Sequence, residues 1–414
     1  MANGAYESVG ATASAMDRAL DVGAGIVRFA PAWVPRAFCT PGRRIRLHPD
    51  DYFPFEHGRG GVDERWLASA IRADNGPKTG PYEGLSLVVD PEGEALLPFD
   101  EFVSHHRGQL IGSRLWDAHQ AWPMFSKFFD NQQALPLHVH HNDEKAGLVD
   151  KPGKPESYYY PPQMNNHLGD QPISFFGLQP GVSREEFKER LGRFGNGGDN
   201  RITDLSLGYR IQVGTGWDIP PGVLHAPASI CTYEPQAACD VFCMCESWSN
   251  NREVDEDLIW KDIPEADRGN LDAVVELLDW DKNVDPHFVA NRFMAPYSTA
   301  RSVADGENEY VDKWIVYRSA SYSAKELTVK PGQTVTISDD DAYGLICVAG
   351  AGRLGVHSIA SATTIRFGQL TDDEFFVSES AAKEGVRVVN HSDSDDLVML
   401  KHFGPGNAEL GRDA

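Results

Sequence analysis

Several things are missing from this chain, and each absence removes a class of function. The six cysteines among 414 residues contain no pair at the CxxC spacing that structural zinc sites use. Four of them crowd between Cys231 and Cys245, where the alternation Val241-Phe242-Cys243-Met244-Cys245 reads as a strand with both thiols on one face. Buried free thiols in a β-core are expected there. No apolar run approaches the roughly 18 residues of a spanning helix, so no membrane partner is expected. The N-terminal stretch has neither a basic segment nor an apolar core of a secretory signal, and the expected location is cytoplasmic. Positive charge is in deficit: 38 Lys and Arg stand against 61 Asp and Glu, a net charge of −23. Nucleic acid and anionic membrane both require a basic face, so neither is an expected partner.

What remains is a globular composition, 41% hydrophobic and 10% aromatic, with length for two or three domains and a large core. Residues 11–21 suggest a short helix, and the Pro-, Gly- and Arg-rich stretch to about 60 suggests loops with short strands. The segment 118–129 fits strand or helix. Residues 135–140, and 156–160 with its three tyrosines, read as strands. Ser183 with Glu186 three residues on is close to a capping box for a helix to about 193. Strands are expected at 207–213, 217–219, 229–234 and 240–247, and a helix at 271–278 after Asn270. From 313 to 403, nine short strands separated by turns suggest a second sandwich or barrel. Its histidines, His357, His391 and His402, are scattered, and no metal is expected in that half.

The most informative local pattern is Leu137-His138-Val139-His140. Alternate residues of a strand share a face, so one divalent metal can hold both imidazoles. Glu156 and His225 complete a shell if their strands lie alongside, and Glu144, four residues past His140, is a rival carboxylate. We favour Glu156 because a β-rich run follows it at once. From Gly214 to His225 the chain reads G-x5-P-x-G-x2-H. That element, with HxH upstream, resembles the two-part signature of cupins, which are jelly-roll barrels.

Longer blocks narrow the resemblance. Trp122 to Asp130, Leu135 to Glu144, Glu64 to Ser69, Asn75-Gly76-Pro77, Gly80 to Leu87, Lys154-Pro155-Glu156 and Ile219 to Ala226 together resemble the type I mannose-6-phosphate isomerases of the cupin superfamily. The likeness covers about 50–250 and, more loosely, the C-terminal half. It implies a mainly β chain of two cupin jelly-roll domains with an added helical segment. The expected division is an N-terminal extension (1–50), a metal-binding cupin domain (51–250) with a helical insertion around 161–200, a helical linker (251–312) and a metal-free cupin-like domain (313–414).

By the same resemblance the metal ligands are His138, His140, Glu156 and His225. The cofactor is one divalent metal ion, zinc first, with Mn, Fe, Co or Ni also compatible with imidazole and carboxylate. The partner is a small sugar or sugar phosphate. Lys154, Lys127 and Glu64 are the expected catalytic residues, with Glu144 a further candidate base, and Trp66 and Lys127 are expected to bind substrate. The reaction implied is aldose–ketose isomerisation through an enediolate.

Two departures stand out. The family has Gln where this chain has His138, which makes a three-His, one-Glu set like that of cupin dioxygenases and oxalate-degrading enzymes. The family also carries an arginine after the last ligand, and Cys239 to Trp248 contains none. An unphosphorylated sugar or another polyol is therefore an open alternative. So are a cupin oxygenase or decarboxylase and a non-catalytic sugar-binding cupin.

Overall fold

The computed structural model describes residues 10, 12–56, 58–92, 96–166, 169 and 171–413. The chain is mainly β, in antiparallel sheets. A seven-stranded sheet runs in the order Phe293–Met294, Gly216–Ile219, Glu156–Tyr159, Thr232–Ala237, Met124–Phe129, Gly61–Leu67, Ala32–Arg36. A five-stranded sheet has the order Ser206–Arg210, Ile173–Leu178, His225–Ala226, His138–Val139, Cys243–Met244. The candidate site lies where residues of these two sheets meet.

The C-terminal strands form a nine-stranded sheet, with Ser323–Val329, Leu397–Phe403, Tyr343–Ala349 and Glu374–Val377 side by side. A four-stranded sheet, Thr334–Ile337, Val386–Asn390, Ala351–Leu354 and His357–Ala360, shares an apolar core with it. The nine-stranded sheet is completed from the other end of the chain. Ile26–Ala30 pairs with Glu374–Val377 on one side and Leu87–Val89 on the other.

The seven-stranded sheet is covered on both faces. Every residue of Gly61–Leu67 and of Met124–Phe129 is buried. A strand buried on both sides shows no polar–apolar alternation, which is why 118–129 left helix and strand equally open. The chain there is helical over Ser113–His119, leaves the helix at Gln120 in the left-handed region (φ 54°), passes Pro123 and becomes a strand. One face of the sheet packs on the nine-stranded sheet. Tyr233 Oη lies 2.8 Å from His402 Nδ1, Tyr159 Oη donates to Glu326 (2.8 Å), and Arg65 donates to Asp373 (2.7 and 2.8 Å) and Glu374 (3.1 Å). The other face carries the polar residues described below.

The helices form where caps satisfy their first backbone N–H groups. Thr12 caps Ala13–Val22, Ser183 accepts from Glu186 N (3.1 Å) at Arg184–Leu191, and Asn270 accepts from Asp272 N (3.1 Å) at Leu271–Val275. The expected strand 240–247 is reduced to Cys243–Met244. Only those two residues pair with His138–Val139: before them Phe242 N is diverted to the Asp262 carboxylate, and after them Cys245 N and Glu246 N share the Leu137 carbonyl. All six cysteines are buried free thiols. Among the described residues no helix is long and apolar enough to cross a membrane.

Candidate metal centre

His138 opens a two-residue strand with Val139, His140 follows directly after it, and His225 opens the neighbouring strand in direct register with His138. The turn before His225 fixes that register. Gly222 sits at φ +82°, and a Cβ there would lie 2.8 Å from Asp279 N, so glycine is required. Gly222 N donates to the His140 carbonyl (2.8 Å), tying the turn to the strand it must meet. Glu156 begins a strand of the opposite sheet, between Ile219 and Gln236.

These four residues converge. One ligand atom from each of His138, His140, Glu156 and His225 lies within 4.8 Å of the others, and all four are buried. Glu144, the rival carboxylate, sits on the exposed turn of Asp143–Ala146 outside this group.

Hydrogen bonding assigns the tautomers. Nδ1 of His138 faces the Pro136 carbonyl, Nδ1 of His140 the Val241 carbonyl and Nδ1 of His225 the Val223 carbonyl, each at 2.8 Å. A carbonyl only accepts, so each Nδ1 carries the proton and each Nε2 presents a lone pair. Those lone pairs meet the carboxylate. His140 Nε2 is 2.8 Å from Glu156 Oε2, and His225 Nε2, with no hydrogen-bond partner, is 3.0 Å from Glu156 Oε1. Acceptors facing acceptors at this range are repulsive unless positive charge stands between them. The donor set therefore fits a divalent cation. Lys154 Nζ already presses against it, 3.1 Å from His140 Nε2 and 3.2 Å from Glu156 Oε2.

The electrostatics agree. Burial holds His138 well below the usual imidazole range and His140 down to about 3, the second aided by the Lys154 charge. Burial would raise Glu156, but the Lys154 ammonium 3.2 Å away holds it well below the carboxylate range. Neutral imidazoles and an ionised carboxylate are the protonation states that bind metal. Tyr158 Oη donates to Glu156 Oε1 at 2.6 Å and orients the carboxylate.

Beside the donor set, the polar face of the seven-stranded sheet continues as a row of buried charges. Lys127 and Glu234 are cross-strand partners. Lys127 Nζ lies 3.2 Å from Glu234 and 3.4 Å from Glu64, and Lys154 Nζ is 4.0 Å from Glu234. Trp66 is wholly buried, donates from Nε1 to Glu64 (2.7 Å) and packs on Phe125. Arg36 donates to both Glu64 oxygens (3.1 and 3.2 Å) and to both Asp240 oxygens (3.0 and 3.1 Å). Lys127, Lys154, Glu64 and Trp66 thus all belong to the wall next to the candidate metal ligands.

Three members of this wall went unread in the sequence. Glu234 had a signal: in Thr232-Tyr233-Glu234-Pro235-Gln236 the polar residues alternate and share a face. Burial, then the Glu156 charge, push the Glu234 carboxyl well above its usual range against the pull of Lys127 and Lys154. Arg36 and Asp240 lie 204 residues apart in the chain, and nothing local marks them as partners.

No family model matches the sequence, and no curated protein matches it. Solved structures do match by fold. Mannose 6-phosphate isomerase from Bacillus subtilis aligns over 91% of this chain and 99% of its own, with a TM-score of 0.58 at 13% identity. A point variant of phosphomannose isomerase from Salmonella typhimurium aligns over 92% and 100%, with a TM-score of 0.61 at 10% identity. At these identities the likeness is one of fold, and this chain shares that fold nearly end to end.

Proposed function

We propose that this protein is a metal-dependent sugar isomerase interconverting an aldose and a ketose. The observation that carries the reading is the convergence of three imidazole lone pairs and a carboxylate beside a wall of buried acid and ammonium groups. The fold shared with two mannose-phosphate isomerases supports it. So does the mainly β build, which we read as two jelly-roll units, the metal-binding one in 51–250 and a metal-free one in 313–414.

His138, His140, Glu156 and His225 would hold the ion, zinc first by donor set, with Mn, Fe, Co or Ni compatible. A divalent ion held there would supply Lewis-acid stabilisation of the negative charge that develops on the sugar. The chain's own groups handle the protons. Isomerisation removes one proton from C2 of the open-chain aldose and returns one to C1, while the O2 proton is given up and O1 gains one. Glu156 and Glu234 are two carboxyls whose surroundings drive their proton affinities apart, a division that suits different roles. Glu156 stays ionised as a ligand, and Glu234 can carry a proton. Lys127 and Lys154 flank Glu234 and donate to sugar oxygens as charge shifts, and Glu64, backed by Trp66, holds the Lys127 ammonium in place.

The test is metal analysis followed by NMR of aldoses and ketoses, free and phosphorylated, in D2O. Interconversion with deuterium entering at C1 or C2 is expected, and it should vanish in His140→Ala. Wild type inert toward every sugar while fully metal-loaded would remove the isomerase reading. The three-imidazole, one-carboxylate set also suits a cupin oxygenase or decarboxylase, and O2 uptake or CO2 release by the iron- or manganese-loaded protein would mark that outcome. Sugar binding without turnover would mark a binding protein.

A further inference from the structure

The cations around the site are already spoken for. Lys154 faces Glu156 and Glu234, Lys127 faces Glu234 and Glu64, and Arg36 faces Glu64 and Asp240. All these side chains are buried, and each of the three cations faces two carboxyl groups. The row does not end at Arg36. Arg36 donates to Asn75 Oδ1 (2.8 Å), and Asp74 N donates to Asp240 (3.0 Å). Asp74 and Asn75 line a cleft of about 700 Å³ on the far side. There too the cations are matched: Lys151 pairs with Asp74 (2.9 Å) and Asp262 (2.6 Å), Lys261 with the same two acids (3.3 and 3.6 Å), and Arg59 with Glu83 (2.6 Å). Among the described residues, the lining cations without a carboxylate partner are Arg252 and Arg268, both solvent-exposed, and Arg252 is turned onto the Cys39 carbonyl.

From this charge pairing we infer that the site takes an unphosphorylated sugar, a neutral polyhydroxy aldehyde or ketone, in preference to its phosphate ester. The inference rests on the isomerase reading and names its substrate class. A phosphate ester carries about −1.5 to −2 charges at pH 7 and needs ammonium or guanidinium groups free to receive it. Arg252 and Arg268 stand at the exposed rim of the cleft beyond Asp240; along the buried wall beside the candidate ligands a phosphate would have to pull a cation from its pair and strand a carboxylate, and like charges placed together are unfavourable. Sugar hydroxyls both donate and accept. They can bond to the carboxylates and ammonium groups of this wall while every ion pair stays intact.

The experiment compares kcat/KM for matched pairs, mannose against mannose 6-phosphate and fructose against fructose 6-phosphate, with the metal-loaded protein. The free sugar is expected to be favoured by about 100-fold or more. Equal use, or preference for the phosphate, overturns the inference and leaves the isomerase reading standing. Turnover of none of the four sugars, nor of other free aldoses, defeats both. Asp240→Asn supplies an independent check, because it releases one side of Arg36. The ratio of phosphorylated to free kcat/KM should then rise by about tenfold, the worth of one charge-assisted contact. An unchanged ratio counts against the charge-pairing argument even if free sugars are the substrates, since a general loss of activity cancels from it.

Discussion

Glu234 is held between two ammonium groups, yet its carboxyl is driven toward the protonated form by burial. A buried carboxyl with raised proton affinity can hold a proton and hand it on to a bound substrate. Glu234→Gln keeps the shape and removes the transferable proton. It should lower kcat by about 10²- to 10⁴-fold with metal content unchanged by elemental analysis. Glu156→Gln should do the reverse in order: it removes the ligand charge, and bound metal should fall well below one equivalent before any rate is measured. Equal metal retention in both variants would break the division of labour between the two acids. The histidines were legible in the sequence because HxH carries its own geometry: a two-residue repeat faces one side of a strand whatever surrounds it. Glu156 was legible through the β-forming run behind it. Arg36 and Asp240 were not, because their pairing is made by the fold across 204 residues and neither neighbourhood encodes it.

At the scale of elements, the candidate metal centre depends on a turn. Gly222 is left-handed and pressed against the backbone of Asp279, while its own N–H holds the His140 carbonyl. Gly222→Ala should destabilise by more than the roughly 1–3 kcal/mol of the strained backbone alone, and should loosen metal binding by displacing His225. Gly76, at φ +79° with nothing within 4 Å of a built Cβ, is the control. Its alanine variant carries only the backbone cost, about 1–2 kcal/mol, and should leave metal affinity unchanged. Thermal unfolding and metal titration of the two variants separate these effects. Helix positions were read well from the caps at Ser183 and Asn270, since capping is chemistry within four residues. Strand extents were read less well. The run 240–247 has strand composition throughout, but the ladder holds only Cys243 and Met244, because Cys245 N and Glu246 N then converge on the single Leu137 carbonyl.

For the whole molecule, the contact between the seven- and nine-stranded sheets sets an acid response. His402 lies wholly buried in that contact, and burial lowers its imidazole to about 3. Unfolded, it titrates near 6.5. Between these values the unfolded chain takes a proton that the folded chain refuses, so stability is lost as pH falls below about 6.5. His402→Gln removes that loss. Measured by urea unfolding, the variant should gain about 2 kcal/mol relative to wild type on going from pH 7 to pH 5, and a pH-independent difference would show that His402 accepts a proton while folded. Arg65 holds the same contact through Asp373 and Glu374, and Arg65→Met should cost about 3–5 kcal/mol by stranding two buried acids.

The strand Ile26–Ala30 sits between Leu87–Val89 and Glu374–Val377, the second of which lies close to the other end of the chain. During synthesis this strand leaves the ribosome long before Glu374–Val377 and must wait, half-paired, for that neighbour. Assembly of that sheet is therefore tied to translation time as well as to collapse. A message cut short before Glu374 yields a chain in which Ile26–Ala30 has lost that partner, and the open edge invites aggregation or proteolysis.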